Sequence, residues 1–296
     1  MRYDMVTFNK NKHMNIQKIF ITGGTGDLGT DLVRELLKRG CLVVTNGRDQ
    51  SKADILIHSL LEDEKERFQF IVADLSKDSP LEIATRAYEI YGGIDMLISN
   101  VASFAFDEDL EKNEVERKRL YDTNLGGLAL ADSVVNLVTG KSENIVLCDI
   151  GSTSVIADML DEPFPDTMHY GKTKADVVRH SIEIAHTNPL VKFRAIHPGS
   201  INGKFAKQIA RKYKGGTHVT TPEITARYAI ELFFTETDEK IIQEIFTSEK
   251  YFAWTQEGSW HNKEVEIAKS IEGLTPSRII KIPVDGINSF EITKEN

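Results

Sequence analysis

Short apolar runs alternate with longer amphipathic stretches between residues 18 and 247. The runs "KIFIT" (18–22), "CLVVT" (41–45), "FQFIVA" (68–73), "IDMLIS" (94–99), "NIVLCDI" (144–150) and "VKFRAI" (191–196) are largely non-alternating. A strand with water on one face alternates polar and apolar residues, whereas a strand covered on both faces does not. These six runs are therefore predicted to be strands of a parallel sheet. Between them, segments near 27–39, 51–66, 80–91, 108–138 and 169–187 carry apolar residues at helical spacing. "TPEITARYAIELFF" adds a helix with Thr221 as N-cap and Pro222 at its first position, and "IIQEIFT" (241–247) a further strand. Strand–helix alternation predicts right-handed βαβ units, hence an α/β fold: one Rossmann-type, doubly wound parallel sheet of about seven strands with helices on both faces. The expected organisation is a flexible leader over 1–16 and one domain over 17–247, with a substrate lid near 200–220. A C-terminal extension over 248–296 is expected to pack on the same domain.

Composition narrows the partners. At 41% hydrophobic and 27% charged residues the chain resembles an ordinary globular protein. Its formal net charge of −9 argues against general affinity for nucleic acid or anionic membranes. No apolar stretch approaches the ~20 residues of a membrane span, and "MRYDMVTFNKNKHMN" lacks the apolar core of a signal peptide. A cytoplasmic location is expected. Cys41 and Cys148 both lie in apolar runs and read as reduced core residues. The eight histidines show no metal-ligand spacing, so no metal is expected.

The first strand runs directly into "TGGTGDLG" (22–29), where Gly23, Gly26 and Gly29 precede a helix. Such a turn lets the backbone bend tightly, approach a diphosphate and pack the helix against the strand, while helix-terminal amides face the phosphates. The second strand ends in "VVTNGRD", with an arginine, Arg48, and no acid at its tip. An arginine there accommodates a ribose 2′-phosphate, so NADP(H) is favoured, with NAD(H) as the alternative. Asp74, at the end of "FQFIVAD", could accept from an adenine amine or cap the helix near Pro80.

In "MHYGKTKADVVRH" (168–180), Tyr170 and Lys174 stand one helical turn apart and share a face. A phenol titrates near ~10, too high for proton exchange at neutral pH, and a neighbouring cation favours the phenolate. The pair could serve as a general acid/base if it faces a pocket. Otherwise it is an incidental surface pair.

These motifs, in this order, resemble the short-chain dehydrogenase/reductase family over roughly residues 17–247. "TGGTGDLG" resembles its glycine motif, with spacing nearer the extended branch; Asp27 occupies the place of the smaller branch's middle glycine. "SNVA" (99–102) resembles NNAG, keeping Asn100 but with Ala102 for the glycine. "YDTNLGG" supplies Asn124, "DIGSTS" the strand-five serine motif, "YGKTK" the YxxxK motif, and "HPGSING" the PG motif with Gly203 where a threonine often stands. The resemblance implies that Tyr170 exchanges a proton with a substrate carbonyl or alcohol as hydride is transferred. It further implies that Lys174 lowers the phenol's pKa and bonds the nicotinamide ribose, that Ser152 holds the carbonyl oxygen, and that Asn124 positions a water. Thr153 and Ser154 remain alternative hydroxyl donors. The implied cofactor path runs along Gly23, Thr25, Gly26, Asp27, Leu28 and Gly29, then Arg48, Asp74 and Leu75. It continues past Asn100, Val101 and Ala102 to Tyr170, Lys174, Pro198, Gly199 and Ile201. A homodimer or homotetramer is implied as well.

Ser152 and Tyr170 are eighteen positions apart, against about a dozen in the smaller branch, so "VIADMLDEPFPDT" is expected as an insert beside the active-site mouth. In "GKFAKQIARKYKGG" (203–216), Lys204, Lys207, Arg211 and Lys214 form one stripe opposite Phe205, Ile209 and Tyr213. This predicts an amphipathic lid, its basic edge either recognising an anionic substrate or simply solvated. His169 and His197 flank motifs and could be substrate contacts or structural residues. Trp254 and Trp260 could close over the pocket, serve an oligomer interface or pack. The expected function is reduction of a small-molecule carbonyl to an alcohol, or the reverse. Two alternatives stay open: an extended-branch nucleotide-sugar epimerase or dehydratase with retained cofactor, and a non-catalytic dinucleotide sensor.

Overall fold

The computed structural model describes residues 14–159, 164, 166–213, 217–248, 278–282 and 287–290. The six predicted strands form as β1 (Lys18–Thr22), β2 (Leu42–Gly47), β3 (Phe68–Val72), β4 (Met96–Ser99), β5 (Ile145–Ile150) and β6 (Val191–Pro198). Their apolar side chains divide between two cores. Ile19 and Ile21 of β1 face one core and Phe20 the other. A strand that must fill two cores has no polar face, which is why these runs do not alternate.

One core is covered by α1 (Asp27–Lys38), and by α10 (Pro222–Phe234), whose Thr221 side chain accepts from Ile224 N as the N-cap. The opposite core is covered by α4 (Pro80–Tyr91), α6 (Glu114–Thr139) and α8 (Met168–Thr187). Burying each large aliphatic or aromatic side chain in these layers contributes about 1.5–3 kcal/mol. Cys41 and Cys148 are free and buried in the first core.

The sheet order is β3-β2-β1-β4-β5-β6-β8-β9, with every neighbouring pair parallel. Here β8 (Ile241–Ser248) is the predicted seventh strand, and β9 (Arg278–Ile282) adds an eighth from the C-terminal part. The strand order reverses between β1 and β4, which opens a crevice at their carboxyl ends. A separate antiparallel pair joins β7 (Thr217–Thr220) to β10 (Ile287–Phe290). Between β6 and β7 lies the predicted lid helix, α9 (Lys204–Tyr213).

Two predicted helices are each broken in two. The 51–66 segment becomes α2 (Gln50–Ser59) and α3 (Glu62–Glu66), because Leu60 is buried in the core and Leu61 N turns to Glu64 Oε2 at 3.0 Å. The 108–138 segment becomes α5 (Asp107–Lys112) and α6, divided at Asn113, whose side chain accepts from Glu116 N as an N-cap. A short helix, α7 (Thr153–Met159), runs from the serine motif into the start of the expected insert. At the start of the chain, Ile16 is buried and Met14 N donates to Phe234 O, which ties the end of the expected leader to α10. Residues 1–13, Lys214, Trp254 and Trp260 lie outside the described residues.

Candidate active site

The glycine turn is shaped by close approaches. Gly23 has φ +65°, and a Cβ there would lie 2.7 Å from Val101 Cγ2; a Cβ on Gly29 would lie 2.2 Å from Gly23 O. No larger residue fits either position. Gly26 is the N-cap of α1 and has no side chain to satisfy that helix's first amides, which leaves them for an anion. The loop after β4 is fastened to this turn. Thr22 Oγ1 accepts from Asn100 N and Val101 N at 2.9 and 3.0 Å, and Asn100 Nδ2 donates to Thr22 O and Gly23 O at 3.0 and 3.2 Å. Asn100 therefore holds two strand ends together.

At the far side of the crevice, Arg48 is exposed at the end of β2, its guanidinium 4.0 Å from Asp74. Burial raises the Asp74 pKa, but the Ser76 hydroxyl and amide and the Arg48 and Lys77 cations outweigh it and hold the carboxyl below its ordinary value. Asp74 does not cap α4; Ser79 does, accepting from Glu82 N. Asp49 likewise caps α2 by accepting from Ser51 N. Asn46, absent from the sequence-based set, is buried here with its Oδ1 lacking a partner among the described residues, and it lines the crevice. A buried unpartnered acceptor, a glycine turn with uncapped helix amides and an exposed arginine together fit an adenine dinucleotide.

The crevice is one cavity of about 1160 Å³ running from Arg48 to Tyr170. It brings together every sequence-predicted cofactor residue, from Gly23, Thr25, Gly26, Asp27, Leu28 and Gly29 through Leu75 and Ala102 to Pro198, Gly199 and Ile201. Ser152, Thr153, Ser154, Tyr170 and Lys174 also line it. Ser152 Oγ accepts from Ser154 N at 3.1 Å, so the two alternative hydroxyls sit within one turn of it. Asn124 stands behind the cavity wall, and its amide is committed: Oδ1 accepts from Ser103 N at 2.6 Å, and Nδ2 donates to Ser103 O and Thr173 Oγ1 at 3.1 and 2.9 Å.

Tyr170 and Lys174 are both buried on the same face of α8. The start of α8 is held from outside the helix. Thr167 offers no side-chain cap; instead Asp107 accepts from Met168 N at 2.8 Å and from His169 N at 3.1 Å. His169 Nδ1 pairs with Tyr121 Oη at 2.8 Å. Burial lowers the Lys174 pKa to about 8, opposed by the charge of Asp149. Asp149, at the end of β5, is itself buried, which raises its pKa to about 6 against the Ser181 hydroxyl, the Lys174 cation and the Ser99 hydroxyl. Sequence reading passed over Asp107 and Asp149. The available signal for Asp149 was a lone acid inside the otherwise uncharged run "NIVLCDI".

His197 is fully buried, with Nε2 3.1 Å from Gln243 Oε1, and burial lowers its pKa to about 4. A Cβ on Gly151 would lie 2.3 Å from His197 Nδ1, so the neutral imidazole packs beneath the serine loop. Around Tyr170, Phe104 lies edge-on at 5.2 Å between centroids, and Phe205 from α9 stacks on Phe104 at 5.2 Å. Phe106 and Ile209 complete this apolar cluster. The lid's Lys204, Lys207 and Arg211 are exposed, while Lys212 reaches Asp166 and Glu108 at 3.5 and 3.6 Å.

Residues 17–214 match the model of the short chain dehydrogenase family. The chain belongs to that family. This short-chain dehydrogenase is 24% identical over 216 residues to the uncharacterized oxidoreductase YvaG of Bacillus subtilis, covering 71% of this chain and 78% of that one. It is 23% identical over 188 residues to the farnesol dehydrogenase of Aedes aegypti, covering 61% and 76%. Among solved structures, ElxO with NADP bound superposes with a TM-score of 0.66 at 20% identity, over 80% of this chain and 99% of that one. A 3-ketoacyl-(acyl-carrier-protein) reductase from Brucella melitensis complexed with NADH gives 0.62 at 18% identity, over 78% and 96%. Short-chain dehydrogenases are oxidoreductases acting on CH–OH or C=O groups with NAD(P), and the fold and family of this chain place it among them. Among the described residues no helix is long and apolar enough to cross a membrane, and no group of three or more His, Cys, Asp and Glu is arranged to hold a metal ion.

Proposed function

We propose that this short-chain dehydrogenase reduces an apolar carbonyl compound to its alcohol, or oxidises the alcohol, with NADP(H) preferred and Tyr170 as general acid/base. The observation that carries this reading is the burial of Tyr170 and Lys174 on one face of α8, at the end of the cavity that begins in the glycine turn. A nicotinamide cofactor, when bound, would supply or accept the hydride. Tyr170 donates its phenolic proton to the carbonyl oxygen in reduction and takes one from the alcohol in oxidation. The Ser152 hydroxyl donates to the same oxygen and holds it in place. The Lys174 cation favours the phenolate, and Asp149 behind it favours the cation. Asn124 orders the loop at Ser103 and the helix at Thr173, which keeps both walls of the site in register.

Arg48 supports the preference for NADP(H), since the end of β2 offers a guanidinium, and Asp74, 4.0 Å away, already faces that cation. The apolar substrate follows from Phe104, Phe106, Phe205 and Ile209 around Tyr170, with the lid's basic stripe turned to solvent. NADPH and NADH are to be titrated in parallel by fluorescence, followed by a screen of apolar and anionic carbonyl compounds. The expected result is tighter NADPH binding, lost in Arg48→Ala, and turnover of apolar substrates that falls by about 10²–10⁴ in Tyr170→Phe with cofactor affinity retained. Tighter NADH binding would overturn the cofactor preference. Near-wild-type turnover in Tyr170→Phe would overturn the mechanism.

A further inference from the structure

Two departures from the family pattern, 176 positions apart in sequence, touch in the structure. Asp27 stands in the glycine motif and Gly203 in the segment after β6. Asp27 Oδ2 accepts from Lys204 N at 2.7 Å, and a Cβ on Gly203 would lie 2.6 Å from that same oxygen. The atom met is the tip of the Asp27 side chain, so any residue larger than glycine at 203 would make the carboxylate shift from this position. The contact joins the first turn of α1 to the first turn of the lid helix α9. Lys204 N is one of the α9 amides that has no partner within its own helix, and the carboxylate also meets the positive end of that helix's dipole.

The charge of Asp27 gives the contact its consequence. Asp27 begins α1, and the amides there face the place a cofactor diphosphate takes. A carboxylate free to turn toward that place would oppose the phosphates. Held by α9, it is directed at the lid instead. We propose that Asp27 is a positioning residue that clamps the lid helix over the cofactor crevice, and that Gly203 is the partner that keeps its charge away from the diphosphate. The second half rests on the dinucleotide lying along the glycine turn, as in the proposed function.

The test uses the full chain and two readouts. Tryptic cleavage within α9, at Lys204, Lys207 and Arg211, is followed by mass spectrometry without cofactor, and NADPH affinity is measured by fluorescence titration. Removing the acceptor in Asp27→Ala should speed α9 cleavage by about tenfold, at the low end for a hydrogen bond to a charged group because the contact is exposed. Asp27→Asn keeps an acceptor and should change cleavage by less than about threefold. Gly203→Thr should both free α9 and weaken NADPH binding by about tenfold, since it displaces the carboxylate from Lys204 N. Adding Asp27→Gly to that variant should return NADPH affinity to near the wild-type value while α9 stays labile. Unchanged α9 cleavage in Asp27→Ala would overturn the clamp, and no recovery of NADPH affinity in the double variant would overturn the role of Gly203. Failure of the wild-type chain to bind NADPH or NADH would sink the dinucleotide reading and with it the diphosphate half. The cleavage comparison would still decide the clamp.

Discussion

Lys174 and Asp149 are the residues at which chemistry and burial collide. Below about pH 8 the lysine carries its charge, and above about pH 6 the aspartate carries the opposite one, so the buried pair is fully charged between those values. Each folded-state value has moved against its own charged form because burial penalises ionisation. The stability contributed by neutral Asp149 is present below its ordinary value of 3.8 and is lost as pH rises through about 6. That of neutral Lys174 is present above 10.5 and is lost as pH falls through about 8. In the proposed mechanism the lysine cation is the form that assists Tyr170. Asp149→Asn removes the charge that opposes its deprotonation, so the alkaline limb of the pH profile of kcat/KM should move toward neutrality. A limb that stays in place would show that Asp149 does not act on Lys174. Tyr170 and Lys174 were legible in the sequence because an i, i+4 pair needs only one helix. Asp149 was not, because its partner is met only when β5 packs against α8.

At the scale of the element, α8 is aimed by a residue outside it. Asp107 accepts from two amides at its start, and the residue that follows them is Tyr170, the proposed proton donor. Asp107→Ala should lower stability by about 1–2 kcal/mol, as for loss of an N-cap, and should lower kcat more than it raises KM. Asp107→Asn, which keeps an acceptor, should recover most of both. Denaturant unfolding and steady-state kinetics of the two variants check this, and equal kcat in all three proteins would remove Asp107 from the positioning of Tyr170. The break between α5 and α6 belongs to the same scale. Periodicity runs through 108–138 without interruption, yet Asn113 caps a new helix there. Asn is a weak helix former and a strong N-cap, and only the bend of the chain around the site decides which property is used.

Across the whole molecule, the crevice exists because the strand order reverses between β1 and β4, and a cofactor filling it should bridge both halves of the sheet. Saturating the chain with NADPH at one hundred times its Kd should add about 2.7 kcal/mol of stability and raise Tm by several degrees, with a smaller shift for NADH at the same concentration. Thermal unfolding followed with each nucleotide checks this, and equal shifts would argue against a role for Arg48. The sequence by itself determined the parallel sheet, since runs such as "FQFIVA" and "NIVLCDI" carry the apolar residues of two cores, and it determined the glycine turn and the Tyr170–Lys174 pair, whose geometry is local. Only the tertiary structure decided what meets across the chain. It put Asp107 at the start of α8, Asp149 behind Lys174, Phe205 on Phe104 and Asp27 against Gly203. Local periodicity records which face of an element is buried, whereas these contacts depend on how separate elements are rotated and spaced, and that is settled by the packing of the two cores as a whole.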